Sequence, residues 1–281
     1  MNLNDVKVIT QYILPKHLLT RLVGLFANAR LGKVTTGVIK KFAQIYHIDL
    51  DEAAQKVEDF TTFNEFFSRA LKSGARPIDA DENSIVFPAD GRINAYGRLK
   101  ENLQMQAKGH YFTIDALLAS EENGKIFQNG EFITVYLSPS DYHRVHLPVS
   151  GKLLEMTYVP GELFSVNPLY TSRIPELFSR NERVVCLFET ELGKMAVVMV
   201  GAAIVRSIMT TWAGVVAPNH SSEIVTFDYR KQSISFTKGD EIGRFLMGST
   251  VICLFEKGKI SLDASLQDEQ QVRMGQKMGT F

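Results

Sequence analysis

The chain has 281 residues, 45% hydrophobic and 22% charged, the proportions of a packed globule rather than a disordered or fibrous chain. Lys and Arg total 31, as do Asp and Glu, and a formal charge of zero argues against a nucleic-acid binder that relies on a strongly basic surface. The charge is uneven, because residues 1–41 hold seven Lys or Arg against Asp5 alone, which leaves the remainder at −6.

From Ile13 to Ala29, Leu18, Leu19, Leu22, Val23, Leu25 and Phe26 recur at helical spacing, interrupted by Lys16, His17 and Arg21. This predicts a basic amphipathic helix starting near Pro15. Its apolar stripe has two readings, packing on its own domain or docking on a membrane surface. Asp49-x-x-Glu52 and Thr62-x-x-Glu65 have the capping-box pattern of helix starts. Residues 1–72 therefore read as a helical N-terminal region, and GARPIDAD from Gly74 to Asp81 as a linker to a second region, 73–281.

After Ile85 the pattern changes to short β-branched and aromatic runs bounded by Gly, Pro and Asn, such as FITVYL, RVVCLFE and STVICLF. The predicted class is α+β, with a helical region followed by an antiparallel β-rich barrel or sandwich. Two echoes suggest internal duplication. Phe87-PADG-Arg92-Ile93 resembles Leu147-PVSG-Lys152-Leu153, and Gly239-DEI-Gly243 resembles Gly275-QKM-Gly279. The longest strongly apolar run, Met195 to Val205, is shorter than the roughly 20 residues of a spanning helix. With no secretory signal at the start, cytoplasmic residence is expected. Cys186 and Cys253 lie in apolar runs and read as small buried hydrophobes, too few for a zinc framework.

Three polar features interrupt the β pattern: Asp90 in a Pro-Ala-Asp-Gly turn, His143 and His146 in DYHRVH, and Ser249 between Gly248 and Thr250 ahead of a strand. Singly, each has a bland reading as turn or loop chemistry. In a strand, histidines three apart face opposite sides. A helical turn capped by Ser140 or Asp141 would instead bring them together. Jointly the features supply an acid, an imidazole and a hydroxyl, the parts of an activated serine. A Gly-x-Ser-x-Gly hydrolase elbow is absent, so the serine needs another target.

The segments FPADGRI, YLSPSDYHRVHLPVSG and KGDEIGRFLMGSTVICLF resemble the signatures of bacterial phosphatidylserine decarboxylases. The resemblance extends to FNEFFSRALKSGARPID, VPGELFSVNP, NERVV and TTWAGVV, nearly the whole chain. The motif usually written Leu-Gly-Ser-Thr in this branch reads Met247-Gly248-Ser249-Thr250, a change that keeps volume and polarity.

The resemblance implies a proenzyme that cuts itself at Gly248-Ser249 into a β chain, 1–248, and an α chain, 249–281. Asp90 would orient His146, and His146 would take the Ser249 proton as its oxygen attacks the Gly248 carbonyl. Ser249 would end as a covalent pyruvoyl cap, an electron sink for decarboxylation that needs no metal. His143 resembles the family's second histidine, linked to proton delivery in decarboxylation, and Ser165 is a weaker substrate-side candidate. The implied partners are phosphatidylserine, an anionic membrane surface and a second copy of the chain, with no nucleic acid. The implied location is peripheral, on the cytoplasmic face of the inner membrane. Three competing readings are a pyruvoyl decarboxylase acting on a soluble amino acid, a serine peptidase acting in trans, and a binding module without catalysis.

Overall fold

A computed structural model describes residues 3–107, 110–202, 207–217, 222–246 and 249–281. Helices α1 (Leu3–Ile13), α2 (Lys16–Ala27), α3 (Lys33–Tyr46) and α4 (Phe63–Phe67) open the chain. Thr62 caps α4 as expected, its hydroxyl accepting the Glu65 N–H at 3.1 Å. The other predicted helix start does not form one. Asp49 instead closes a local turn by accepting the Asp51 N–H, and Glu52 is drawn away to Arg76. A favourable charge partner outside the segment outweighs a local cap.

The β region begins with β1 (Ser84–Val86), β2 (Gly91–Arg98), β3 (Leu103–Ala107) and β4 (His110–Thr113), then α5 (Ile114–Leu118) and α6 (Glu121–Ile126). Next come β5 (Glu131–Leu137), β6 (Arg144–His146) and β7 (Gly151–Val159), two short helices α7 (Pro168–Thr171) and α8 (Leu177–Arg180), then β8 (Arg183–Thr190) and β9 (Gly193–Val200). The remaining strands are β10 (Ile208–Thr210), β11 (Gly214–Ala217), β12 (Val225–Asp228), β13 (Ser235–Phe236), β14 (Glu241–Phe245), β15 (Ser249–Phe255), β16 (Ser261–Leu262), β17 (Gln271–Val272) and β18 (Lys277–Thr280).

The central antiparallel sheet runs β12-β7-β8-β9-β15-β5-β2-β17, with β13 also on β7. Both of its faces are covered. One packs through Ile93, Val135, Val197, Val251 and Cys253 against two small sheets, β1-β18-β16 and β11-β10-β14-β6. The other packs through Phe132, Val198, Ile252 and Leu254 against α5, α8 and the β3–β4 hairpin. The result is a sandwich rather than a closed barrel. β15 is buried on both faces and from Val251 to Phe255 reads as an unbroken apolar run.

The sequence echoes correspond to a structural duplication. β7-β8-β9 and β15-β5-β2 flank the centre of the sheet as two triplets, with β2 and β7 in matching positions. Each is entered from a short strand, β1 or β6, through one of the echoed Pro-x-x-Gly turns. Those entry strands pair with β18 and β14, which follow the echoed glycine turns. Cys186 and Cys253 both oppose Val197, one on each side of β9, and burial holds their thiols in the neutral form.

Candidate active site

Ser249 is the first residue of β15 and pairs with Leu137, the last of β5. It is fully buried, and its Oγ has no hydrogen-bond partner. The next hydroxyl, Thr250 Oγ1, is likewise buried and unpartnered. Buried polar atoms are nearly always satisfied, so two orphans at one strand start mark a place built for something other than packing. Met247 and Gly248, the residues on the other side of the expected scissile bond, lie outside the described residues.

After Leu137 the chain turns at Ser138–Asp141, where Asp141 Oδ2 accepts both the N–H and the hydroxyl of Ser138 at 2.7 Å. No helix forms here, so of the two readings of the histidine segment the helical turn capped by Ser140 or Asp141 is absent. The turn ends at His143, and His146 closes the strand β6. Strand β14 aligns the pair with the approach to Ser249: Glu241 opposes His146, and the Phe245 N–H donates to the His143 carbonyl at 3.0 Å.

His143 is completely buried with its ring 4.1 Å from that of Phe67 on α4. Its Nδ1 lies 2.8 Å from the Asp141 carbonyl, which can only accept, so Nδ1 carries the proton. Nε2 then holds a lone pair, and it has no partner. Burial lowers the His143 pKa to about 3, opposed by the Asp141 carbonyl. The same logic fixes His146. Its Nδ1 donates to the Gly239 carbonyl at 2.8 Å, and Nε2 receives the Tyr142 hydroxyl at 3.2 Å. Burial also lowers the His146 pKa, partly offset by the Gly239 carbonyl and the charge of Glu241. Both imidazoles are therefore neutral bases at neutral pH.

Asp90, the third expected member, is buried in its turn, and Gly91 behind it has φ +155°, where a Cβ would strike the Tyr136 carbonyl. Arg76 Nε donates to both Asp90 oxygens at 2.9 and 2.8 Å, and its Nη2 adds a third bond at 2.6 Å. Arg76 also holds Glu52, and the Met274 N–H donates to Asp90 Oδ1 at 2.9 Å. Asp90 makes no hydrogen bond with His146 here; it acts on it only through its charge, which favours the imidazolium. The Gly239 carbonyl holds the ring orientation that Asp90 was expected to set.

Ser165 lies apart from the histidines, on the loop where the N-terminal helices dock. Its N–H donates to Gln11 Oε1 at 3.1 Å. Beside it, Phe164 meets the Tyr12 ring and lies 3.7 Å beneath the Lys16 ammonium, which also pairs with Glu162 at 2.8 Å. The sequence reading missed Arg69, Arg76, Tyr142 and Gly239 as members of this neighbourhood. All four stand inside segments that carry the resemblance, but a partner 14 or 93 residues away leaves no local signal. Among the described residues no group of His, Cys, Asp or Glu is arranged to hold a metal ion.

The family profile described as phosphatidylserine decarboxylase matches residues 63–280, and a second, described as PSD, matches residues 6–47. Proteins named phosphatidylserine decarboxylase proenzyme are similar over almost the full length. That of Shewanella loihica is 51% identical over 98% of this chain and 98% of its own. That of Pasteurella multocida is 50% identical over 96% and 93%. A third, from Shewanella sediminis, is 51% identical over 98% of both chains. Over this coverage and identity, the matches establish that the chain belongs to the phosphatidylserine decarboxylase family.

Proposed function

We propose that the chain is a proenzyme that cuts itself before Ser249 and then converts phosphatidylserine to phosphatidylethanolamine and carbon dioxide. The observation that carries this reading is a fully buried Ser249 Oγ without a hydrogen-bond partner, at a strand start paired with Leu137, the strand end that leads into the segment holding His143 and its own unpartnered Nε2.

Self-cleavage needs a base for the Ser249 hydroxyl, and His146 is assigned that role because its Nε2 carries the lone pair. The serine oxygen attacks the Gly248 carbonyl, and the acyl group shifts from nitrogen to oxygen. Loss of the Ser249 α-proton then expels Gly248 as a carboxylate and leaves a dehydroalanine end, which tautomerises and hydrolyses to pyruvoyl with release of ammonia. Asp90 supports the transient imidazolium by its charge. Its bond to the Met274 N–H also ties residues 249–281 to the larger chain once the backbone is cut.

The pyruvoyl group fits this position, because the site places unpartnered polar atoms around the strand start and excludes water. When present it supplies the electron sink for loss of carbon dioxide. His143 Nε2 then has a proton to carry: its lone pair can take one from the substrate ammonium and return it to the α-carbon after decarboxylation. Burial keeps the ring neutral, so it starts without that proton.

The N-terminal helices support a membrane-docked enzyme. In α2 the buried residues are Lys16, Thr20 and Ala27, whereas Leu18, Leu22, Leu25 and Phe26 are exposed, with Leu25 at 65%. The helix thus turns its apolar stripe outward, the reverse of a helix packed for the core. No helix among the described residues is long and apolar enough to cross a membrane. Peripheral attachment to an anionic surface, at the cytoplasmic face of the inner membrane, follows from this face and from the basic residues around it. A homodimer of cleaved protomers and the weaker role of Ser165 at the substrate are carried from the resemblance.

The reading is tested by incubating the purified protein with phosphatidylserine in mixed micelles and following phosphatidylethanolamine by mass spectrometry. Product should form with the native chain and not with Ser249→Ala. Equal product from both would sink the proposal.

A further inference from the structure

Among the described residues, Arg69 is a buried cation near the site with two N–H groups that lack an acceptor. It follows α4, is only 5% exposed, and its Nε and Nη1 make no hydrogen bond. The nearest aromatic contact, the Phe66 ring at 5.2 Å, satisfies no N–H. A buried guanidinium without an acceptor is strongly unfavourable, so the fold must offer it an anion or accept the cost for a purpose.

The carboxylates around it are already engaged. Glu52 and Asp90 are both held by Arg76. Asp141 accepts from Ser138 and from Gln271, and Asp49 from the Asp51 N–H. Arg69 opens onto a polar cavity of about 220 Å³ that these carboxylates share with Tyr142, Ser140 and Arg273. Glu52 and Asp90 act on Arg69 through space by their charge, but none of these carboxylates accepts a hydrogen bond from its Nε or Nη1.

The position of the cavity indicates what arrives. Phe67, two residues before Arg69, packs on His143, and Arg69 itself lies close enough to bias His143 towards neutrality. Tyr142, on the cavity wall, contacts His146. His47 and Ile48, just past the end of α3, also line the cavity. A buried guanidinium with two N–H groups lacking acceptors, next to the segment that carries both histidines, suits a ligand with an oxyanion.

We propose that Arg69 is the oxyanion-binding residue of the substrate site and that it takes the phosphodiester of the lipid headgroup. This rests on the decarboxylase reading above. Phosphatidylserine carries two oxyanions, and they make opposite demands. A guanidinium on the carboxylate would stabilise the charge that disappears in the transition state, and so would slow the reaction. On the phosphate it holds the headgroup by a group that is unchanged from substrate to product, in the two-pronged geometry an arginine fork provides.

Binding of product separates this idea from the reading it rests on, because phosphatidylethanolamine keeps the phosphate and lacks the carboxylate. Dihexanoyl phosphatidylethanolamine is titrated calorimetrically into the cleaved full-length enzyme, native, Arg69→Gln and Arg69→Lys, with inorganic phosphate in a parallel arm. Turnover of dihexanoyl phosphatidylserine gives KM and kcat. Arg69→Gln should weaken product binding and raise KM by about 10- to 100-fold, the loss of a charge-assisted hydrogen bond. Arg69→Lys should lie between the two.

Unchanged product affinity in Arg69→Gln overturns the proposal even if the native enzyme decarboxylates normally. So does loss of phosphatidylserine affinity with product affinity kept, which would put the carboxylate on Arg69. Inorganic phosphate that binds the native enzyme tighter than the lipid, and is lost in Arg69→Gln while the lipid is not, would make this a free-anion site instead. Should Arg69→Gln not fold, Arg69→Lys keeps the charge but not the fork and must still weaken product binding by roughly 3- to 10-fold; unchanged affinity there overturns the proposal equally.

Discussion

Tyr142 donates its hydroxyl to His146 Nε2 across 3.2 Å, so the nitrogen assigned to activate Ser249 is capped by a phenol in the uncut chain. Burial pushes the Tyr142 hydroxyl up to about 12, so it stays a donor throughout the physiological range. If it only rests on Nε2, removing it costs nothing at the chemical step. Tyr142→Phe should then cleave at least as fast as the native chain, followed on a gel after synthesis in a cell-free system. Cleavage slowed tenfold or more would make Tyr142 a proton relay.

The two histidines should separate by function. His146→Ala should accumulate uncut chain, since loss of a general base is typically worth 10²–10⁴-fold. His143→Ala should still cleave, at least partly, yet form little phosphatidylethanolamine per cleaved chain. Gel densitometry beside lipid mass spectrometry gives both quantities. Equal blocks to cleavage in the two variants would contradict the assignment.

The Arg76 and Asp90 side chains are 8% and 6% exposed, and the same guanidinium also holds Glu52. Arg76→Ala would leave a buried carboxylate unpaired, a change that costs about 3–5 kcal/mol in comparable sites. Urea denaturation of a Ser249→Ala background, which cannot cut itself, should show that loss. A change under about 1 kcal/mol would place Asp90 in a wetter environment than its burial indicates.

Acid should destabilise the protein through His143. Its folded pKa, near 3, lies below the ordinary 6.5, so the unfolded chain binds the proton more readily. The stability from a neutral His143 is complete above pH 6.5 and is lost as pH falls from there towards 3. His146, lowered in the same direction, adds to the trend. Thermal melts from pH 7.5 to 4.5 should fall less steeply for His143→Gln than for the native chain. Parallel slopes would show that His143 is not buried neutral.

Membrane docking should depend on the outward apolar face of α2. Leu22→Glu with Leu25→Glu changes only exposed positions, so folding and self-cleavage should persist while sedimentation with anionic vesicles is lost. Salt should weaken native binding, because exposed charges are screened within about 8 Å at physiological ionic strength. Vesicle binding by the double variant equal to that of the native chain would remove this face from the account.

Much of this architecture is legible in the sequence where the physics is local. The β runs, the Thr62 cap and the duplicated Pro-x-x-Gly turns all rest on spacing or turn chemistry within a few residues. Asp49-x-x-Glu52 misleads because Glu52 answers a cation 24 residues away. The histidine-bearing segment shows the same limit, since Asp141 caps a turn rather than a helix and a distant Gly239 carbonyl sets the His146 ring. Lys16 reads as a membrane-facing charge but is buried between Glu162 and Phe164, contacts that no helical wheel contains. The apolar stripe was visible as a stripe; only the fold reveals that it points outward.

The central claim is that Ser249 becomes the end of a new chain without remaining a serine. Intact-mass spectrometry of the purified, denatured protein tests it directly. The account predicts two chains, one ending at Gly248 and one of 33 residues, 249–281, lighter by one ammonia than the plain peptide and closed to Edman degradation. A 33-residue chain of unmodified mass that sequences from Ser249 would mean ordinary proteolysis, and a single intact chain after long incubation would mean that no self-processing occurs.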